Sequence, residues 1–556
     1  MNQTRPDFPV RTDPVAIELL RSDLESAQYS VAAIESLLGA VGTAALRRTQ
    51  LIPARVAVQN QQSEPLAHLV ALFLLGLEVT NAQLGTALPT LGVKGAADLG
   101  LVARQGAQPG DQVRAAVDLR PYSARDAVGE VNWWLAADLG EEALGDALPA
   151  HHVLGVGGAA KTLARMTVRD PKTRALDLGT GSGIQALHLA RHCRNVVATD
   201  ISHRALAYAR FNLALNGVAP MPGDVPVTGD VPAPGNASTA PAGSATAQVE
   251  LRHGSLLEPV ADAQFDLIVS NPPFVITPPN SGLPAYEYRD GARRGDQLVE
   301  NLVTDIGAHL KPGGIAQFLG NWEHRDAAAW QERLGDWLDA AAHAGFPLDA
   351  WIVEREVQDP AQYAETWLAD GGCDPRRDPA RFDQAYRAWL EDFATRQVTG
   401  IGFGYVLLRR PAPGKSPQIR RIEHIDTPVH RPLGGHISAV LEQVDALAEL
   451  SDGQILAQHF ERAPDVTEER YATPGAADPT MIFLRQGDGY GRSMQVSTWQ
   501  SAFVGACDGE LSAGQICGAL AQLGQLEVAA VIAEVLPFLD TAVWGGFLTL
   551  ADAPAS

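Results

Sequence analysis

A glycine-rich turn between an apolar strand and a helix constrains the fold of this chain most strongly. The turn reads Asp177-Leu178-Gly179-Thr180-Gly181-Ser182-Gly183, after a predicted strand over 174–178 and before a predicted helix over 184–191. Glycines let a ligand approach the main chain, and the first turn of a helix offers free amide hydrogens. The sequence therefore predicts a ligand site at the carboxyl end of a strand.

The segment 151–410 alternates apolar strands with amphipathic helices, which is typical of a parallel sheet covered on both faces. Seven strands are predicted, at 174–178, 195–199, 249–253, 265–270, 314–319, 350–357 and 401–409. A helical insertion containing Trp367 and Trp389 separates the last two strands. A stretch rich in Pro, Gly, Ala and Ser, 219–248, is predicted to be a disordered insertion. The predicted fold class is α/β, with a Rossmann-like seven-stranded sheet.

Two segments of different character flank this sheet. Residues 1–150 show helical periodicity from 13 to 46, short helical stretches at 65–75, 81–88 and 96–104, and a hairpin pattern at 112–120. That order predicts a helical and winged-helix-like N-terminal domain, and the few basic residues over 81–104 favour a structural role over DNA binding. Residues 411–556 predict an acidic α+β domain that ends in a second winged-helix-like pattern.

Charge and cysteine content narrow the function classes. The 556 residues carry 43 Lys and Arg against 65 Asp and Glu, and this net charge of −22 argues against an extended contact with a nucleic-acid backbone. The four cysteines lack the spacing of a metal site, so no metal is expected. The sequence shows no signal peptide and no apolar run of about 18 residues. We therefore expect a cytoplasmic protein without a membrane contact.

The acid-x-Gly-x-Gly-x-Gly form of the turn resembles motif I of class I S-adenosylmethionine-dependent methyltransferases. A dinucleotide-binding turn fits less well, because Ile184 stands at the third glycine position of G-x-G-x-x-G. Asp200 ends the second predicted strand, 17 residues beyond Gly183, where a carboxylate can accept hydrogen bonds from both hydroxyls of a ribose. Capping of the next helix is the alternative role for Asp200.

The tetrapeptide Asn271-Pro272-Pro273-Phe274 follows the fourth predicted strand. Two successive prolines force an extended backbone without amide donors, so nearby carbonyl oxygens are predicted to stay free beside a rigidly held Asn. The Asn271 amide oxygen and the Pro272 carbonyl then accept the two hydrogens of a planar NH2 group, while Phe274 stacks on its flat face. Such a site favours methyl transfer through orientation and fixed dipoles rather than through a strong base.

This tetrapeptide resembles the NPP[FY] motif of amino-group methyltransferases, a group that includes HemK/PrmC-type glutamine methyltransferases, adenine methylases and small-domain rRNA guanine methylases. The run SNPPFVITPP, with YRDGARRGDQLVENLVTDIGAHLKPGG downstream, is most similar to the HemK/PrmC-like branch, over 177–320. Phe replaces the commoner Tyr. The resemblance implies S-adenosylmethionine as cofactor and a glutamine side-chain amide of a translation-factor-like protein as acceptor. The alternatives are a base amine in rRNA or DNA, and a non-catalytic winged-helix regulator or ligand sensor.

The same resemblance implies a set of site residues. The turn would hold the methionine part of the cofactor, Asp200 the ribose, and Ser255 with Leu256 the adenine. The implied cofactor-binding residues are Asp177, Gly179, Thr180, Gly181, Ser182, Gly183, Asp200, Ser255, Leu256 and Asn271. The implied catalytic residues are Asn271, Pro272, Pro273 and Phe274.

Two further groups of residues are weaker candidates. The loop 286–294 is predicted either to close over the substrate, with Arg289, Arg293 or Arg294 pairing an anion, or to be a solvated charged loop. Glu323 and His324 follow the fifth predicted strand and are interpreted as a surface pair rather than as a catalytic base.

Overall fold

One mixed sheet of eight strands forms the centre of the part of the chain that the structure describes. The structure is a computed structural model and describes residues 9–61, 63–140, 148–221, 247–279, 286, 289–290, 294–475 and 478–551. The strands are, in chain order, β1 (Lys172–Leu178), β2 (Cys193–Asp200), β3 (Gln248–His253), β4 (Phe265–Ser270), β5 (Leu310–Arg325), β6 (Asp349–Gln358), β7 (Val398–Arg409) and β8 (Arg420–His424). Their spatial order is β8, β6, β7, β5, β4, β1, β2, β3.

The direction in which successive strands are added to the sheet changes between β1 and β4. Neighbouring strands from β5 to β3 are parallel, whereas β7 is antiparallel to both β5 and β6. After β2 and β3 extend one side of β1, the chain returns so that β4 pairs with the other side of β1. Open α/β sheets bind their ligands at such a switch, beside the carboxyl ends of the strands. The glycine-rich turn and the proline-rich tetrapeptide both follow strands that end at this edge.

The seven predicted strands lie where the sequence pattern places them, and the α/β fold class is confirmed. The sheet has one more strand than predicted, because the buried carboxylate of Asp349 binds the chain that precedes β8. Asp349 Oδ1 accepts the amides of Gln418 and Ile419, at 2.6 and 2.9 Å, and the Ile419 carbonyl accepts the amide of Ala350 at 2.8 Å. Residues 420–423, predicted to belong to the C-terminal domain, therefore extend the sheet as part of β8.

Helices pack beside the strands that carry the two motifs. These helices are Gly158–Met166, Ile184–Leu189, His203–Leu215, Gln297–Asp305 and Trp330–His343, with 3-10 turns at Glu258–Val260 and Ile306–His309. Helices 297–305 and 330–343 bury apolar side chains against Leu176, Ile268 and Phe318 of the sheet. The predicted insertion 219–248 lies largely outside the described residues. Its last residue, Gln248, begins β3.

Short helices and one small sheet make up the N-terminal part. The helices are Pro14–Ser26, Val31–Leu46, Ile52–Gln59, Pro65–Leu69 with a π-helical turn at Val70–Leu74, Asn81–Ala87 and Gly92–Asp98, and the strands are Val79–Thr80, Val102–Arg104 and Gln112–Ala115. The helix predicted over 96–104 is wrong in its second half. Gly100, at φ +84°, follows the end of the helix, and 102–104 pairs with 112–115 as a strand.

The hairpin predicted over 112–120 is also wrong, because a separate hairpin begins at Asp118. Its strands, Asp118–Asp126 and Gly129–Ala137, pair antiparallel. Helix 203–215 holds this hairpin through two buried or half-buried amide side chains. Asn212 Oδ1 accepts the amide of Ala136 at 2.7 Å, and Asn216 Oδ1 accepts the amide of Trp134 at 3.0 Å.

The described chain forms two compact units instead of the three predicted domains. One unit contains the residues up to 164 together with 171–423, and the second contains 165–170 and the residues from 424 onward. No boundary falls at 150, because Tyr208 and Phe211 of helix 203–215 share one apolar core with Leu20 and Leu24 of the N-terminal helices. The predicted boundary at 410 moves to 423 because β8 belongs to the sheet.

Two helices, Pro360–Asp370 and Pro379–Thr395, form the helical insertion between β6 and β7, where the sequence predicts it.

The second unit contains helices and strands, as predicted. Its helices are Gly434–Ala448, Asp452–Leu456, Thr498–Ala506, Ala513–Gly524 and Val528–Trp544; its strands are His459–Arg462, Val466–Tyr471, Met481–Gln486, Ser493–Val496, Asp508–Ser512 and Leu548–Leu550.

Among the described residues no single helix is long and apolar enough to cross a bilayer, and helices 14–26 and 31–46 pass that test only as a pair bent by 44°.

Candidate active site

Three glycines of the turn adopt positive φ angles, which side chains rarely tolerate. The angles are +74° at Gly179, +54° at Gly181 and +88° at Gly183. A Cβ atom added at Gly179 or Gly181 would meet no atom within 4 Å, whereas one added at Gly183 would lie 3.0 Å from Cα of Ala209. The first two glycines therefore expose backbone to open space, and the third permits close helix packing.

Asp177, the last but one residue of β1, fixes the shape of the turn. Its Oδ2 accepts hydrogen bonds from Thr180 Oγ1 at 2.6 Å and from the amide of Ala186 at 2.9 Å. Burial raises the pKa of this carboxyl to about 7, against the two hydrogen bonds, which lower it; the nearby charge of Asp200 raises it further. Asp177 thus links the end of β1 to the first turn of helix 184–189.

Asp200 lies directly beside the glycine-rich turn. Its Oδ2 accepts the amide of Gly181 at 2.9 Å, and its Oδ1 accepts the amide of Ser202 at 2.9 Å. Ser202, not Asp200, is the N-cap of helix 203–215. A carboxylate oxygen has more than one acceptor position, so these bonds leave capacity for a ligand's hydroxyl groups.

Ser255 and Leu256 lie beside Asp200. The amide of Gly254 donates to the backbone carbonyl of Asp200 at 3.0 Å, which brings the end of β3 to the end of β2. Ser255 is exposed and Leu256 is half-buried. Leu256 has a φ of +46°, an uncommon backbone conformation for a branched residue.

Asn271 lies next to the turn, at the end of β4, the strand that pairs with β1. Ser270 pairs with Leu178 in the parallel register, and Ser270 Oγ donates to the Leu178 carbonyl at 2.8 Å. Asn271 and Gly179 are the residues that follow this pair. Among the residues that the structure describes, no group donates to Asn271 Oδ1, although this atom is buried. A buried acceptor without a donor is costly in the ligand-free protein and is suited to bind a ligand's N–H group.

The Pro272 carbonyl differs from the prediction, because it already accepts one hydrogen bond inside the protein. Its donor is the amide of Phe274, at 2.8 Å. Phe274 is the first residue after the two prolines with an amide to donate, and a three-residue turn results. A carbonyl has two lone pairs, so one stays available to a ligand. Phe274 is half-buried and packs against two apolar clusters, one under the sheet and one in the helical insertion.

Comparison with known proteins agrees with this geometry. Residues 176–275 match a family described as a methyltransferase domain, and residues 26–116 match a domain of unknown function, DUF7059. A ribosomal protein uL3 glutamine methyltransferase of Bradyrhizobium diazoefficiens is 30% identical over 224 residues, covering 38% of this chain and 60% of the relative. Residues 176–275 thus form a methyltransferase domain, and the chain is similar over 224 residues to a glutamine methyltransferase.

Two further relatives describe the extent of this similarity. A release factor glutamine methyltransferase of Koribacter versatilis is 29% identical over 190 residues, covering 32% of this chain and 56% of the relative. The solved structure of a methyltransferase from Pyrococcus furiosus is 15% identical and covers 49% of this chain and 94% of its own, with a TM-score of 0.25. The chain thus spans about 60% of the length of the curated relatives it matches.

Beside the methyltransferase site, Arg289 does not have the role that the sequence suggested. Only 2% of its surface is exposed, and its guanidinium forms ion pairs with Asp290 at 3.1 Å and Asp370 at 3.2 Å. These contacts hold the arginine against the helical insertion, so it is not available to pair a substrate anion. Arg294 is exposed, whereas Arg293 lies outside the described residues.

The interpretation of Glu323 and His324 as a surface pair is wrong. Glu323 is fully buried, with Arg325 at 2.6 Å and Arg396 at 2.8 Å from its carboxylate. His324 Nε2 lies 2.6 Å from Oε2 of the buried Glu354. The long strand β5 continues past the predicted end at 319 and carries both residues. Arg325 of the same strand and Arg396, at the end of the insertion's second helix, compensate the charge of Glu323.

Sequence reasoning missed Asn212, which connects the methyltransferase turn to the N-terminal hairpin. Its side chain is fully buried, and its Nδ2 donates to the carbonyls of Ser182 at 2.8 Å and Ala136 at 2.9 Å. An asparagine within an apolar stretch of helix 203–215 was the available signal, because buried polar groups need partners.

A cavity of about 330 Å³ adjoins the turn at Ser182. The hairpin lines one side of it, and the segment 154–157 with Lys161 lines the other. Helix 158–166 follows this segment. Within the described residues no cluster of His, Cys, Asp and Glu side chains has the arrangement of a metal site.

Proposed function

We propose that this protein transfers a methyl group from S-adenosylmethionine to the side-chain amide of a glutamine in another protein. The observation that carries the proposal is the buried acceptor Asn271 Oδ1, which has no donor among the described residues and lies at the same sheet edge as the glycine-rich turn. The similarity to glutamine methyltransferases of ribosomal protein uL3 and of release factors supports the same acceptor class.

The residues around the turn fit the cofactor. Gly179 and Gly181 leave space where a side chain would stand, just before the helix that begins at Ile184. The carboxylate of Asp200 suits the ribose hydroxyls, and Ser255 with Leu256 suits the adenine ring. The same carboxylate also suits a ligand whose sulfur and amino group are positively charged. When bound, S-adenosylmethionine supplies an electrophilic methyl group.

The proline corner orients the acceptor nitrogen. Asn271 Oδ1 and the remaining lone pair of the Pro272 carbonyl accept the two hydrogens of a carboxamide NH2 group, and Phe274 covers its flat face. Such fixed acceptors contribute to rate by holding the reacting nitrogen in line and by costing no reorganisation during the reaction. As the new carbon–nitrogen bond forms, the acceptor nitrogen releases one proton to solvent, and the cofactor would leave as S-adenosylhomocysteine.

The charge of the chain favours a protein acceptor over rRNA or DNA. Its net charge of −22 repels a polyphosphate backbone and attracts a basic protein. Because release factors and ribosomal proteins act in translation, we expect the enzyme in the cytoplasm.

We infer that residues 65–115 form a winged-helix-like module with a structural role. Helix, strand, two helices and a hairpin follow in that order, with the strand 112–115 at the centre of the small sheet. Lys94, the only basic residue of helix 92–98, is paired with Asp98. Few cations are therefore presented for a nucleic-acid backbone.

A labelled-methyl assay tests the proposed function. The purified protein is incubated with methyl-labelled S-adenosylmethionine and, separately, with release factors, ribosomal protein uL3 or small-subunit rRNA. Label in a protein, located by mass spectrometry on a glutamine, supports the proposal. Label in rRNA, or no label in any acceptor, contradicts it.

Asn271→Ala tests the role of the proline corner in that assay. We expect at least a 100-fold loss of methyl transfer, because the target NH2 loses an acceptor, and a cofactor Kd within about 3-fold of wild type. Asn195→Ala is the matched control, since Asn195 lies near the amino end of β2. Among the described residues its side chain donates only to the Thr173 carbonyl, at 3.3 Å. Unchanged transfer by Asn271→Ala would remove Asn271 from the mechanism.

A further inference from the structure

We propose that Tyr363, in the helical insertion, is a positioning residue for the target nitrogen. Its hydroxyl holds the segment 271–276, which contains the proline corner, in one conformation. The inference rests on the proposed function and adds to it a part of the chain outside the 176–275 methyltransferase match.

The Tyr363 hydroxyl joins three segments of the chain. It accepts the amide of Ile276 at 3.0 Å, and Nδ2 of Asn321 donates to it at 2.9 Å. Tyr363, Ile276 and Asn321 are all buried. Ile276 belongs to the irregular chain after the tetrapeptide, and Asn321 belongs to β5. The hydroxyl therefore ties the corner to both the insertion and the sheet.

Among the residues that the structure describes, the backbone amides just after the prolines have few other partners. The amide of Phe274 bonds only within the corner, and the amide of Val275 donates to the Arg289 carbonyl at 3.1 Å. The bond from Ile276 to Tyr363 is the next one along the chain. Because the corner lies outside the ladder of the sheet, a small shift at Ile276 moves Asn271 and Pro272 relative to the turn.

Aromatic neighbours restrain the Tyr363 ring. The rings of Trp367, Trp389, Phe393 and Phe403 lie with their centroids 5.6 to 6.0 Å from that of Tyr363. Packing of this kind limits side-chain rotation, so the hydroxyl has a defined position. The insertion thus provides a rigid anchor rather than a flexible contact.

Asn321 lies on β5, the neighbour of β4, beyond the point where β4 ends. Phe318 pairs with Ser270, so Asn321 follows this last pair by three residues along β5 and Asn271 follows it by one residue along the chain after β4. Buried Asn321 Oδ1, like Asn271 Oδ1, has no donor among the described residues. Tyr363 therefore orients a second side-chain amide beside the corner.

Tyr363→Phe tests the inference, with Tyr386→Phe as the matched control. Both variants remove one hydroxyl from the insertion, but the Tyr386 hydroxyl bonds only the exposed Glu365, at 3.0 Å. We expect Tyr363→Phe to lower kcat for the acceptor that wild type labels at least 10-fold, with a cofactor Kd within 2-fold of wild type. Tyr386→Phe should keep kcat within 2-fold.

Hydrogen exchange measured by mass spectrometry provides a readout that does not depend on the acceptor. In Tyr363→Phe, peptides covering 271–279 should exchange at least 10-fold faster, while peptides of β1 keep the wild-type rate. If Tyr363→Phe does not fold, Asn321→Ala, which removes one leg of the link, should lower kcat several-fold with unchanged cofactor affinity.

The outcomes separate this inference from the proposed function. Suppose that the wild-type protein transfers the methyl group and that folded Tyr363→Phe, or Asn321→Ala where that variant is used, keeps the same kcat. This result overturns the positioning role and leaves the function intact. An equal loss in Tyr386→Phe also overturns it. Absence of methyl transfer by the wild-type protein contradicts the function itself, and the positioning role with it.

Discussion

The amide of Gly181 donates to the Asp200 carboxylate across 2.9 Å, and this bond joins the ends of two neighbouring strands. It fixes a backbone group that faces open space relative to a side chain that can bind hydroxyl groups. The two motifs, separated along the sequence, therefore form one rigid site before any ligand binds. Pre-organisation of this kind reduces the entropic cost of binding.

Asp200→Asn should weaken cofactor binding. The variant keeps one side-chain oxygen but replaces the other with an NH2 group, which donates hydrogen bonds and accepts none. The remaining oxygen cannot serve both the backbone amides and the ribose hydroxyls. Hydrogen bonds to charged groups contribute about 1.5 to 3 kcal/mol, so Kd should rise roughly 10- to 100-fold. Calorimetry with S-adenosylmethionine measures this directly.

Asp262→Asn is the control for the loss of a negative charge, because Asp262 is exposed on the connection between β3 and β4. We expect its Kd to match wild type. An Asp200→Asn protein that binds the cofactor as tightly as this control would exclude the ribose contact.

Alanine at Gly181 and at Gly183 should have different effects. Both substitutions force a side chain into a left-handed conformation, which costs roughly 1 to 2 kcal/mol. At Gly183 the new Cβ also meets Ala209 at 3.0 Å, so the free energy of unfolding should fall further. At Gly181 the Cβ enters open space, so the main effect should be a loss of cofactor affinity. Urea titration and calorimetry together distinguish the two; equal profiles would contradict the assignment of space at Gly181 to the ligand.

Local patterns predicted the fold of the sheet and the residues of the turn. Strand and helix periodicities are short-range. The carboxyl end of a strand carries each of the three signals, namely the Asp177–Gly183 run, Asp200 and Asn271. Once parallel strands are inferred, their carboxyl ends must meet at one edge. Juxtaposition of the turn with the proline corner therefore follows from chain order.

Long-range partners explain what the sequence did not predict. Whether Arg289 binds a ligand or a neighbour depends on Asp370, 81 residues away, and whether Glu323 is buried depends on Arg396. No local pattern contains those pairings. The same holds for Tyr363, which reads as one more apolar helix position until the amide of Ile276 is found at its hydroxyl.

Arg289→Met should destabilise the protein rather than abolish a substrate contact. The substitution leaves the buried Asp290 without its guanidinium partner, and loss of one partner of a buried pair costs about 3 to 5 kcal/mol. Arg294→Met, at an exposed position, should change the free energy of unfolding by less than about 0.5 kcal/mol. Chemical denaturation of both variants checks this; equal stabilities would restore Arg289 as a candidate for ligand binding.

Asp177 should give the stability of the protein a specific pH dependence. Burial raises the pKa of its carboxyl from 3.8 to about 7, so the folded state holds a proton that the unfolded state has lost between those values. The stabilisation from this group is complete below about pH 4, declines as pH rises, and is gone above about pH 7. Asp177→Asn cannot titrate but keeps an oxygen for Thr180 and Ala186. The difference in unfolding free energy between wild type and this variant should therefore fall by about 1.4 kcal/mol per pH unit between pH 5 and 6, fall about half as steeply near pH 7, and stay constant from pH 8 to 9. Urea titrations across this range measure the slope, and a difference that does not change with pH would show that Asp177 is ionised throughout.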